Sequence, residues 1–159
     1  MFRCSILIVV SAAAALLQTP GEGQSIAQPV GAQAKDVDRQ VGRLIKGMLN
    51  RRTEEAAFSN LEALGCPAVP AIIARMDDRR RLPDPNIALK NKSRDAFEAR
   101  RFYGPQQVVD ALAAILNQMT GRDFGFIYNG ATEAERARTV QGWRDYLGRT
   151  PAARLCESA

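Results

Sequence analysis

Apolar positions along this chain recur mostly at spacings of three and four, the signature of helices that bury one face. Val37, Val41, Leu44, Ile45, Met48 and Leu49 trace one such stripe, on an amphipathic helix opening at 35–36 and ending near 50. Arg51-Arg52 follow it, where positive charge suits the negative end of the helix dipole. Thr53 is placed to cap a second helix. Glu54 and Glu55 fall in its first turn, and Ala57, Phe58, Leu61 and Leu64 lie on its inner face. Gly65 reads as its C-terminal cap. Pro67 fits the first turn of a third helix, whose apolar face is Val69, Ile72, Ile73 and Met76 and whose opening also tolerates Pro70. The stretch 61–75, LEALGCPAVPAIIAR, thus stops one helix and restarts another within three residues, as a tight antiparallel pair would.

The periodicity breaks between 79 and 104. Pro83 and Pro85 hold 82–84 extended, and Ile87 and Leu89 alternate with Ala88 and Lys90 as in a short extended piece. Phe97, Phe102 and Tyr103 are too many aromatics for a solvated loop, so some of them are expected to pack onto helices. Long irregular insertions are often functional or mobile, which makes this one a candidate. Helical spacing resumes with Pro105 at the first position of a fourth helix. Val108, Val109, Leu112, Ile115, Leu116 and Met119 face inward there, and Gly121 is the cap. Phe124, Phe126 and Tyr128 then alternate with Gly125 and Ile127 before an Asn129-Gly130 turn. Thr132 and Glu135 spell a capping box for a last helix with Ala137, Val140, Trp143, Tyr146 and Leu147 inside. The fold class expected is all-α. About five helices occupy 35–150, with the irregular insertion 79–104 between two helix pairs and a polar tail over 151–159.

The first residues read differently. Arg3 precedes an apolar run from Ile6 to Leu17, Thr19-Pro20-Gly21 breaks it, and Ser25-Ile26-Ala27 offers small residues before a cut at Gln28. This is the layout of a secretory signal peptide over 1–27, followed by a flexible lead-in over 28–34; an uncleaved anchor is the alternative. The run is shorter than the roughly 20 residues a membrane span requires, and no later segment is long enough. A periplasmic or secreted location follows as the expectation. The chain carries 22 Lys+Arg against 17 Asp+Glu, a net charge of +5, and the presumed leader contributes one of each sign. Of the three cysteines, Cys66 and Cys156 survive processing. In an oxidising compartment they allow one bridge, closing about 90 residues and contributing on the order of 4 kcal/mol. Two free thiols remain the alternative.

Candidate chemistry is thin. Histidine is absent, which removes His metal sites, His acid–base catalysis and His-activated nucleophiles. No cofactor and no metal site is read from the sequence. Asp123-Phe124-Gly125 matches a kinase tripeptide but lacks the glycine-rich and catalytic loops that give it meaning. Glu54/Glu55, Asp77/Asp78 and Glu133/Glu135 sit where helix termini already explain them, and Asp110 and Asp123 have no identifiable partner. Charge runs are usually solvated faces. A functional reading needs Arg79, Arg80, Arg81, Arg100 and Arg101, which flank the insertion, to converge into an anion-binding patch. Phe124, Phe126 and Tyr128 can form an aromatic binding ledge, or plug the groove between the last two helices.

The segment LEALGCPAVPAIIARMDD resembles a bacterial HEAT-like helical repeat of the phycobilisome-lyase type. The resemblance rests on Leu61, Leu64, Gly65, Pro67, Ala68, Val69, Pro70, Ile72 and Asp77. Cys66 departs from the polar residue usual in that hinge. Leu112, Leu116, Thr120, Gly121, Phe124, Gly125 and Trp143 are similar to a C-terminal pattern of such proteins. The resemblance implies antiparallel helix pairs in a short superhelix and a protein–protein interaction surface. The expected function is an exported binding or scaffold module whose partner is another envelope or secreted protein. The alternatives are a small envelope enzyme using carboxylates, and a binder of acidic polymer or, less favoured, nucleic acid through the arginine clusters.

Overall fold

The computed structural model describes residues 30–91 and 97–157. The expected signal peptide lies outside the described residues. Five α-helices and one two-stranded sheet follow in the order α1 (Val30–Met48), α2 (Glu54–Ala63), α3 (Val69–Ile73), β1 (Ile87–Lys90), β2 (Arg100–Tyr103), α4 (Val108–Thr120) and α5 (Glu133–Arg149). The chain is mostly helical, as the spacing predicts, with a small sheet in place of a fully irregular insertion.

Helix α1 begins at Val30, inside the expected flexible lead-in, because Ala32, Gln33 and Ala34 are good helix formers that prolong it without packing. Its stripe behaves as expected: Val41, Ile45 and Met48 are buried, with Val37, Leu44 and Leu49 packed beside them. Thr53 does not cap α2 with its side chain; its hydroxyl instead donates back to the Gly47 carbonyl at 2.8 Å, tightening the α1–α2 turn. Gly47 faces Ala57, and Gln40 and Leu44 share a groove with Asn60 and Leu64. Falling numbers on α1 against rising numbers on α2 make these two the antiparallel pair.

The hinge at Gly65 bends the chain without reversing it, so the expected antiparallel restart does not form there. Gly65 takes φ +65°, a conformation that favours glycine. Cys66–Ala68 then forms a 3₁₀ turn, Pro67 sits in that turn and not at the head of α3, and the chain turns through 104° between Glu54–Ala63 and Cys66–Ile73. Helix α3 is only five residues long. Two prolines in four residues, at 67 and 70, remove the amide donors a longer helix would use.

Helix α4 is the centre of the core. Every residue from Val108 to Leu116 is buried, so it is enclosed on all sides by α2, α3, α5 and β1 and does not present a single stripe. Gln107 is its N-cap, displacing the expected start at Pro105, and Gly121 closes it in the left-handed conformation as expected. The capping box of Thr132 and Glu135 opens α5. The buried stripe of α5 is Arg136, Thr139, Val140 and Trp143; Ala137, expected inside, is exposed. The helix is rotated to bring Arg136 in, because Asp110 is there to receive it. Arg136 is 3% exposed and donates through Nε at 2.7 Å and Nη2 at 2.9 Å to the two oxygens of Asp110, itself fully buried. The same carboxylate accepts from the amides of Gln106 and Gln107, both at 3.1 Å.

The insertion is anchored at both roots. Val108 and Val109 amides donate to the carbonyls of Arg80 and Asp78, and Leu82 N–H donates to Gln106. Beyond that clamp, β1 and β2 pair antiparallel, Ile87 opposite Tyr103 and Lys90 opposite Arg100. Ile87 and Leu89 are buried, so the extended piece expected there is the root of a hairpin. Tyr103 packs against the core, whereas Phe97 and Phe102 remain exposed. At the other end of the chain, Cys66 and Cys156 form a disulfide with Cα atoms 5.9 Å apart. The tail is otherwise held by buried Leu155, whose carbonyl accepts from the Tyr146 hydroxyl at 2.9 Å.

Two stability measurements test this account. Asp110→Ala strips the buried Arg136 guanidinium of its buried carboxylate, leaving only the exposed Glu133, and is expected to cost about 3–5 kcal/mol in urea unfolding. Exposed Arg138→Ala is expected to stay within about 0.5 kcal/mol. Cys156→Ser is expected to cost up to about 4 kcal/mol and to make the bond after Arg154 cleavable by trypsin under native conditions.

Candidate functional site

The arginines singled out by sequence do not come together. Arg79 binds the Met76 carbonyl at 2.8 Å and the Glu133 carboxylate at 3.1 Å, at the head of α5. Arg80 is held by Asp78. Arg81 is exposed and forms a bridge with Gln107 at the root of the hairpin. Arg100 lies at the far end of β2, donating to the Ala88 carbonyl at 3.2 Å with Glu55 at 3.7 Å, and Arg101 is exposed on the opposite face of the strand. Glu133, which receives Arg79, is held below the usual carboxylate range first by the Gln107 amide and then by Arg136. The first two arginines are therefore neutralised within the chain, and the hairpin separates Arg81 from Arg100.

The aromatic trio also divides. Phe124 packs edge-on against Trp143, ring centres 4.8 Å apart, and so plugs the groove beside α5. Gly142 makes room for it, since a Cβ there would lie 2.7 Å from that of Phe124. Tyr128 is buried edge-on against Tyr103 at 5.7 Å, its pKa pushed up first by burial and then by the nearby Asp123 carboxylate. Phe126 alone of the three is exposed. They form no continuous ledge.

The chemistry converges elsewhere, in a cleft between the start of α2 and the hairpin. A cavity of about 260 Å³ is lined by Arg51, Glu54, Glu55, Phe58, Asp84, Asn86, Ile87, Ala88 and Phe102. Glu54 opens α2 yet is only 4% exposed. Its Oε1 accepts a long bond from the Asp84 amide, 3.4 Å, and Oε2 accepts none among the described residues. Pro83 and Pro85 restrict the chain on either side of Asp84, and its Oδ1 accepts from the amide and side chain of Asn86 at 3.0 and 2.9 Å. Arg51 is turned to the Pro83 carbonyl at 3.2 Å. Phe58 is buried in the wall, and Phe102, 74% exposed, stands at the mouth.

Burial raises the Glu54 pKa above the usual glutamate range. The Asp84 carboxylate adds to the rise, and the Asp84 amide and the Arg51 charge oppose it. The cleft therefore offers an acid that holds its proton more tightly than an ordinary glutamate, beside an apolar wall. Among the described residues no group of three or more His, Cys, Asp or Glu is arranged to hold a metal ion. Sequence reasoning assigned Glu54 and Glu55 to the helix dipole alone. The cleft escaped it because Asp84 and Phe102 reach α2 from 30 and more residues away. The two prolines around Asp84 were the one local sign of a fixed carboxylate. No family model, curated protein or solved structure matches this chain.

Glu54 carries a pH signature. Its pKa is higher folded than unfolded, so the folded chain binds more protons there. Stability contributed at this site then falls as pH rises from the ordinary glutamate range through the folded value. Glu54→Gln removes the cost of the buried charge. Its melting temperature is expected to exceed that of the unaltered protein most at about pH 7 and to lose that advantage below about pH 4, as read by thermal unfolding across that range.

Proposed function

We propose that this chain is an exported helical module that binds another envelope or secreted protein, with the α2–hairpin cleft as its recognition site. The observation that carries this reading is the cleft itself: a concave surface with apolar walls, one buried carboxylate and an exposed phenylalanine at its mouth. Binding sites commonly combine an apolar concavity with a few polar groups that fix orientation. The walls belong to a helix and to a hairpin whose roots are clamped to α4, so the concavity is preformed. The Cys66–Cys156 disulfide is compatible with an oxidising compartment, and it supports the periplasmic or secreted location that the leader-like N-terminus suggests. The HEAT-like reading of the architecture draws on the α1–α2 hairpin and on α5 packed against α4. The short α3 and the 104° hinge depart from that pattern.

A carboxylate enzyme is the second reading, favoured by the raised pKa of Glu54 beside Glu55 and Asp84. It ranks below binding because Asp84 is tied to Asn86 and Glu55 lies near Arg100. Anionic-polymer binding draws, of the five candidate arginines, on Arg81 and Arg101 once Arg79 and Arg80 are paired internally and Arg100 lies beside Glu55.

Site-specific photocrosslinking tests the binding reading. p-Benzoylphenylalanine in place of Phe102 is expected to trap a discrete envelope protein in intact cells. The same group in place of exposed Arg138 on α5, which does not line the cleft, is expected to trap none. Equal trapping at both positions, or none at 102, would remove the cleft from recognition.

A further inference from the structure

We infer that the cleft receives a primary alkylammonium, presented as a lysine side chain of the partner protein, with the ammonium seated on Glu54. This deepens the recognition reading and rests on it.

Four observations point to that chemistry. Glu54 is 96% buried, lines the cavity, and has one oxygen, Oε2, with no hydrogen bond among the described residues. A buried carboxylate costs free energy unless it is protonated or paired with a cation. The cations nearby make no hydrogen bond to it among the described residues: Arg51 acts on it through its charge but donates to the Pro83 carbonyl, and Arg100 donates to the Ala88 carbonyl with Glu55 beside it. The pairing position is therefore left for a ligand.

The walls suit an alkyl stem. Phe58, Ile87, Ala88 and Phe102 flank the approach, and methylene stems gain from lying along apolar surface while the charge reaches a polar end. The exposed ring of Phe102 also offers its face to a passing cation. The volume, about 260 Å³, is below the roughly 300 Å³ at which pockets for whole small-molecule ligands begin.

The acceptor geometry favours lysine over arginine. A guanidinium is best matched by two carboxylate oxygens side by side, and one oxygen of Glu54 already takes the Asp84 amide. A single open acceptor suits a compact ammonium. Asn86 and Arg51, also lining the cavity, can meet the partner's main chain.

Titration of the full mature chain, isotope-labelled and followed by amide NMR at constant ionic strength, tests this. The probes are N-acetyl-lysine methylamide, its norleucine and arginine counterparts, and free butylammonium. The lysine compound is expected to shift the Asp84, Glu55 and Ala88 amides saturably, and more tightly than the other three. Glu54→Gln is expected to weaken lysine binding about tenfold, the scale of one charge-assisted hydrogen bond. Phe102→Ala, at an exposed position, provides a second variant that is expected to weaken it without touching the fold. The lysine–norleucine comparison uses the unaltered protein and stands whatever the variants do. Norleucine binding as well as lysine, or the absence of any saturable shift, would overturn the ammonium assignment. Butylammonium binding equally well would assign the site to free amines and overturn the partner's lysine as its source. Trapping at position 102 with no lysine preference would sink this inference and leave the recognition reading standing; loss of both would sink both.

Discussion

The contact between Arg136 and Asp110 organises the rest of the molecule. A fully buried carboxylate at the start of the central helix takes two amides from its own capping turn and two donors from a guanidinium on α5. A buried ion pair is no guarantee of net stability, because desolvation offsets much of the attraction. Its value here is directional. Arg136 also donates to Glu133 at 2.8 Å, and Glu133 in turn receives Gln107 and Arg79. One linked set of charges thus fixes the head of α4, the head of α5 and the chain leaving α3. The rotation of α5 that places Trp143 inside and Ala137 outside belongs to the same constraint.

That junction also holds the hairpin. The backbone leaving α3 pairs with the turn entering α4 through Arg80, Leu82, Gln106 and Val108, so the arm springs from the most rigid part of the molecule. Its buried residues Ile87 and Leu89 close the core over α2, and Ile87, Ala88 and Phe102 form one wall of the cleft, so one short sheet both covers the core and lines the site. The acidic wall opposite comes from the first turn of α2, where a carboxylate is welcome for the helix dipole and costly for its burial.

Much of this architecture was legible in the chain. The stripe of α1, the Gly121 stop and the Thr132–Glu135 capping box are local signals, spaced by the helix itself, and each stands where the spacing places it, whereas α4 is buried on every side and α5 is rotated from its expected face. The misreadings share a cause. Thr53 turns back to α1, Asp110 finds a partner 26 residues away, and the hinge at Gly65 bends by 104° and does not reverse, because packing between elements overrides local preference. Nothing near Arg136 in sequence announces a buried acid, because Asp110 reaches it from another helix. The cleft was invisible for the same reason. Its carboxylates and its phenylalanine are gathered from three segments, and only the proline pair around Asp84 left a local trace.

The disulfide has a bearing on how the protein comes into being. Cys66 and Cys156 are separated by 90 residues. While the chain emerges from its N-terminal side, the hinge thiol must wait for those residues before its mate exists. Until then nothing covalent closes the fold; once the bridge forms, every residue between the hinge and the tail belongs to one covalent loop, and the unfolded chain loses many of its extended conformations.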